Sequence, residues 1–150
     1  MGNAYQEMKT RHQAEVDAFP LAAAFSDKQF AEGMAKLGLT AENADKVYGI
    51  PGTGCFYRRE DAPRFHEMFD RHERERQEAI DADAKGDGFI YEMFLYELAN
   101  HEYAYTGDFE STLNALGLEH EDFEKNPALR KGLTDAAKTL RNGARNATAN

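Results

Sequence analysis

The chain has 150 residues, 41% of them hydrophobic, and a formal net charge of −9. That length fits one domain with one modest core. No run of about 18 apolar residues is available to span a bilayer. The single cysteine, Cys55, excludes an internal disulfide and any multi-thiolate zinc cage within one chain.

Taken in chain order, Tyr5, Met8, His12, Val16 and Phe19 recur at three and four residues and predict an amphipathic first helix ending at Pro20. The opening Met1-Gly-Asn-Ala-Tyr-Gln-Glu7 has no apolar signal segment, so a cytoplasmic protein is expected. Leu21-Ala-Ala-Ala-Phe25 reads as a short small-residue link. Ser26-Asp-Lys-Gln29 is a capping box that opens a second helix, with Phe30, Met34 and Leu37 inward and Gly38-Leu39 closing it. Two β-prone runs, residues 46–50 and 55–59, flank Pro51-Gly-Thr-Gly54 and predict a β-hairpin.

Asp61 is the expected N-cap of a third helix that runs to about Ile80. The most apolar stretch, Phe89-Ile-Tyr-Glu-Met-Phe-Leu-Tyr-Glu-Leu-Ala-Asn-His-Glu-Tyr103, predicts a central buried helix reaching Thr106-Gly107. Asp108 should cap a fifth helix carrying Phe109, Leu113 and Leu116. Gly117-Leu118 closes it as Gly38-Leu39 closes the second. A basic, alanine-rich last helix is expected near residues 128–140. The fold class is therefore α+β: one mostly helical domain over residues 1–141, five to six helices with one β-hairpin, then a disordered tail at 142–150.

Three constellations could carry chemistry. Asp81-Ala-Asp-Ala-Lys-Gly-Asp-Gly-Phe-Ile-Tyr-Glu92 lies between two helices like a calcium loop. Counted from Asp81, Lys85 falls on a ligand position; counted from Asp83, Lys85 takes position 3 and Phe94 position 12. Neither register holds a full oxygen set, so calcium is not expected. Glu97 and His101 share a helix face with Ile90 and Phe94, and such groups must find partners if buried. They form either a structural hydrogen-bond knot or, with His66 or His72 from the third helix, a zinc site. His66-Glu67 followed by His72 resembles a zincin helix only superficially, since no HExxH is present. Cys55 has no paired histidine in view, and Gly52 and Gly54 lack the ending of a phosphate loop. No catalytic residue is expected, and no cofactor beyond that structural zinc.

Charge is distributed unevenly. Residues 79–124 carry twelve acids and one base, Lys85, whereas residues 125–150 carry six bases and one acid. An acidic body argues against direct nucleic-acid binding and favours a basic protein partner. The expected contact set is Asp81, Asp83, Asp87, Glu92, Glu102, Tyr103, Tyr105, Asp108 and Glu110, the tyrosines assisting because an apolar ring ends in a polar tip.

At Phe25-Ser-Asp-Lys-Gln-Phe30, the residue 48–57 hairpin and Tyr96-Glu-Leu-Ala-Asn-His-Glu-Tyr103, the chain resembles an uncharacterised family of small acidic proteins from gut bacteria, their phages and mobile elements. The likeness runs from about Tyr5 to Glu124 and leaves the basic segment outside. It is similar in kind to anti-CRISPR proteins. The family itself has no known activity, but this context, the acidic balance of residues 79–124 and the missing catalytic constellation together lead to the expectation of a non-enzymatic inhibitor of a host defence nuclease, most concretely of Cas9, with no membrane or nucleic-acid contact of its own. The alternative expectation is a zinc-binding protein or small metal-dependent hydrolase using Glu97, His101 and His66 or His72.

Overall fold

The structure, a computed structural model, describes residues 3–149, apart from the side chains of Tyr105 and of residues 144–149. In chain order it forms α1 (Ala4–Ala18), β1 (Ala22–Ala23), α2 (Asp27–Lys36), β2 (Val47–Gly49), β3 (Cys55–Arg58), α3 (Ala62–Ala82), α4 (Phe89–Asn100), α5 (Tyr103–Thr106), α6 (Glu110–Leu116), α7 (His120–Lys125) and α8 (Pro127–Ala149). The protein is thus mostly helical, with one small antiparallel sheet. Its contacts divide it into two compact units, Arg11–Arg74 and the segments on either side of that stretch.

In the Arg11–Arg74 unit the predicted hairpin forms, Tyr48 facing Tyr57, and gains a third strand where the sequence predicts only a link. The strand order is β1-β3-β2, with Ala22 opposite Phe56. Alanines give little β signal of their own, so packing selects this strand. Gly33 on α2 lies against Ala22 and the Phe56 ring, where a Cβ would collide. Ser26 caps α2 by accepting the Gln29 N–H at 3.2 Å, and Gln29 accepts from the N–H of Phe25 at 2.7 Å. Gly38, at φ 77°, ends that helix, and the Leu39 N–H reaches Met34 O at 2.8 Å. Phe19, Tyr57 and Met68 bury together beside it, with Tyr57 stacked on Phe65.

In the other unit α4 is the buried centre, as its composition predicts. Ile90, Met93, Phe94 and Leu98 are fully buried, and α8 packs along it. The approach is close because Gly132 on α8 leaves room for Ile90. The capped motif of α2 recurs at α6. Gly117 has φ 67°, and Leu118 N–H bonds Leu113 O at 2.9 Å.

Three expected boundaries differ. The aromatic helix ends at Asn100 rather than near Thr106, because Glu102 turns left-handed at φ 57° and α5 begins anew. Residues around His120, where the sequence predicts no helix, form α7 on a Glu119/Asp122 capping box, and Phe123 is buried against Phe94. The last helix starts at Pro127, with Asn126 Oδ1 accepting the Ala128 N–H at 3.1 Å, and continues to Ala149 through the stretch assigned to a disordered tail. That stretch has three alanines and no proline, so backbone bonding from turn to turn is not interrupted.

Candidate functional site

Glu97 is 2% exposed, a burial that only a well-paired carboxylate tolerates. Its Oε1 accepts from the Tyr5 hydroxyl at 2.9 Å and from Lys9 Nζ at 2.6 Å, and Oε2 lies 3.5 Å from His101 Nε2. Lys9 also sits over the Tyr96 ring, 5.2 Å from its centroid. Burial, followed by the neighbouring Glu97 charge, pushes the Tyr5 phenol above its ordinary range, so Tyr5 stays a proton donor. The backbone carbonyl of Glu97 accepts in turn from Thr112 Oγ1 at 3.4 Å. The cluster is a satisfied polar knot that ties the start of α1 and the side of α6 to α4.

The zinc candidates fall in different units, Glu97 and His101 in one and His66 and His72 in the other. His66 is exposed, and His72 belongs to the Arg11–Arg74 unit with neighbours of its own. No group of three or more His, Cys, Asp or Glu among the described residues is disposed to hold a metal ion. His72, 8% exposed, stacks on His12 at 3.8 Å, and its Nε2 lies 3.5 Å from Glu15 Oε2 with no hydrogen bond. Burial first, and His12 second, push the His72 pKa down. Glu15 is gripped by both terminal nitrogens of Arg71, at 3.1 and 2.5 Å. That fork holds its carboxyl at about 2. Sequence reading missed this group, since helical spacing within one helix says nothing about which second helix faces it.

In the loop before α4, Asp83 turns inward on its own backbone. Oδ1 accepts the Gly86 N–H at 3.1 Å, while Oδ2 accepts those of Gly88 at 3.1 Å and Ile90 at 2.9 Å. The carboxylate therefore caps α4 and closes the loop. Lys85 is exposed and Phe94 fully buried, so the ligand set counted from Asp83 stays broken at positions 3 and 12.

The contact set separates by environment. Asp81, Asp87, Glu102, Asp108 and Glu110 are exposed, and so are Glu119, Glu121 and Glu124. Glu92 is half-buried and accepts the Ala4 N–H at 2.8 Å, and Asp83 is occupied as described. Tyr103 is not a surface residue: it is 4% exposed and stacks on Phe109 at 4.9 Å, just beyond the left-handed turn at Glu102. The Tyr105 side chain lies outside the described residues. Among the described residues the large apolar groups that reach solvent are Phe25, at 81% exposure, then Tyr48 and Phe69. Only one of these is a tyrosine. Phe25 precedes the cap of α2, outside the helical spacing that points Phe30, Met34 and Leu37 inward.

Around α6 the acidic stretch encloses a groove of about 700 Å³. Half-buried Phe109, Leu113 and Leu118 supply its apolar lining, and Asp108, Glu110, Glu119 and Glu121 its charge. Asp108 orders its edge by accepting the Glu110 N–H at 2.9 Å. No lysine or arginine among the described residues lines the groove.

By fold this is a small, mostly helical protein with a three-stranded antiparallel sheet, and the exposed chemistry of its α4–α7 stretch is overwhelmingly acidic. It belongs to a family of unknown function (DUF7659), which matches residues 4–139. The match carries past Glu124 into α8, so most of the basic segment is part of the family. No curated protein and no solved structure matches the chain. No helix among the described residues is long and apolar enough to cross a membrane.

Proposed function

We propose that the protein is a non-enzymatic binding protein whose acidic residues 79–124 engage a basic surface on a protein partner. The observation that carries this reading is the exposure of eight of the twelve acids in that stretch, against one exposed base, Lys85. Such a field attracts cationic surfaces and repels phosphate backbones. Surfaces that hold nucleic acid carry dense positive charge for that purpose. The partner is accordingly a nuclease of a host defence system, with Cas9 the most concrete case, and binding would block its nucleic-acid path. Resemblance to small acidic proteins of phages and mobile elements supports the same assignment.

A guide-directed DNA cleavage assay tests it directly. Purified protein in molar excess should suppress cleavage, and neutralising Asp81, Asp87, Glu110 and Glu121 together should restore it. Cleavage that proceeds untouched at large excess removes Cas9 from the proposal. A pull-down from host lysate that recovers no basic, nucleic-acid-binding protein overturns the wider reading.

A further inference from the structure

We infer that the groove around α6 is the place where this partner is gripped, and that its occupant is an arginine-bearing segment of the partner. The inference rests on the acidic-surface reading and narrows it to one site. Two features act together. The apolar lining of Phe109, Leu113 and Leu118 favours methylene stems or rings, which lose exposed surface on docking. Around it stand Asp108, Glu110, Glu119 and Glu121, of which, among the described residues, only Glu121 has a cationic neighbour, Lys125 at 4.0 Å with both side chains largely exposed. A wholly apolar occupant would strip water from these carboxylates and return no charge to them. An occupant carrying arginine does both jobs: its stem covers Leu113 and Leu118, and its guanidinium meets the carboxylates in planar, two-pronged contacts.

The lining is also prepared before binding. Phe109 is held by its stack on buried Tyr103, and α6 is fixed at both ends by the Asp108 contact and the Gly117 cap. Little ordering cost remains to be met on docking. Other exposed acids on this unit lack this combination: Asp81 accepts from Gln77 on an open helix face, and Asp87 stands at a loop tip. They extend the attraction without forming a seat.

A fluorescein-labelled nonapeptide of alternating arginine and leucine serves as probe, followed by anisotropy against the full chain at about 0.15 M salt, where distant charges are screened. The paired variant Glu110→Gln/Glu121→Gln should weaken binding at least about tenfold, while Asp81→Asn/Asp87→Asn, an equal change of charge, should weaken it less than about threefold. Leu113→Gln should weaken it too, with the thermal midpoint of each variant confirming the fold. On adding unlabelled peptide, amide NMR shifts should concentrate in residues 107–121. Equal losses for both charge pairs, with shifts spread over residues 79–124, overturn the groove and leave the acidic-surface reading standing. No binding to the intact chain even at low salt overturns both. The last helix carries Lys131, Lys138 and Arg141, so a second copy could supply the cations. Concentration-dependent dimers in sedimentation that compete with the peptide, and that Glu110→Gln/Glu121→Gln abolishes, would overturn the foreign partner in favour of self-assembly.

Discussion

The Tyr5 hydroxyl is the neutral donor in the Glu97 knot, and its removal isolates what that knot contributes. Tyr5→Phe preserves the ring, with its edge contacts to Phe89 and Tyr96, and deletes only the donor. The remaining hydrogen-bond donor to Oε1, Lys9, is about half exposed and screened by water, so it compensates poorly. A loss of about 1–2 kcal/mol in urea unfolding is expected. The folded-state pKa of Tyr5 is raised, so the unfolded chain gives up this proton first as pH climbs past 10. The contribution of Tyr5 is therefore complete below that pH and declines above it. Tyr5→Phe should flatten the alkaline fall in stability, and an identical fall in both proteins would remove Glu97 as the cause. His72 works at the acid end. Its pKa is lowered by burial and by His12, with Arg71 adding to the effect and Glu15 opposing it. A base with a depressed folded pKa is protonated first in the unfolded chain, so stability drops as pH falls below about 6.5. Glu15 extends the loss between 4.5 and about 2, where the unfolded carboxylate takes up a proton that the Arg71 fork refuses. Replacing His72→Phe should flatten the thermal midpoint between pH 7 and 5 and leave the steeper fall below 4.5. A profile unchanged above pH 5 would show that His72 does not govern that range.

At the scale of elements, Asp83 decides how α3 hands over to α4. It accepts three backbone N–H groups, so Asp83→Ala strands donors at a helix start and should cost about 1–3 kcal/mol in denaturant unfolding. Calcium should leave the melting temperature of the intact chain unchanged. A rise of several degrees that Asp83→Ala abolishes would restore the calcium reading. Elements whose ends are encoded locally were legible in sequence. Gly38-Leu39 and Gly117-Leu118 announce their caps, and Ser26-Asp-Lys-Gln29 announces a start, because glycine and a hydroxyl each solve a specific backbone problem there. The break at Glu102 was not legible, since a glutamate at positive φ is imposed by the packing of Tyr103 on Phe109 and carries no local signature. Strand β1 was missed for the same reason: two alanines become a strand only because β3 is beside them. The Glu97 knot was half legible. Helical spacing showed that a carboxylate would lie on an apolar face, but Tyr5 and Lys9, about ninety residues earlier, could not be named from spacing within α4.

For the whole molecule, the consequence of the charge distribution is a stability and a binding affinity that respond to salt in opposite directions. Like charges along residues 79–124 repel one another in the folded chain, and only Lys85 relieves them within that stretch. Repulsion of this kind is screened over about 10 Å at 0.1 M salt. Raising sodium chloride from about 0.02 to 0.2 M should therefore increase the thermal midpoint by a few degrees. Local ion pairs such as Arg71 with Glu15 act the other way, but among the described residues few of them involve the acids of residues 79–124, and those exposed acids set the sign. Binding to a basic partner should weaken over the same interval, because the field that strains the fold is the field that draws the partner in. Neutralising Glu110 and Glu121 should shrink both responses together. If the midpoint falls with salt while partner binding also weakens, the acidic stretch is not under repulsive strain, and the link between the charge of this surface and its use would be broken.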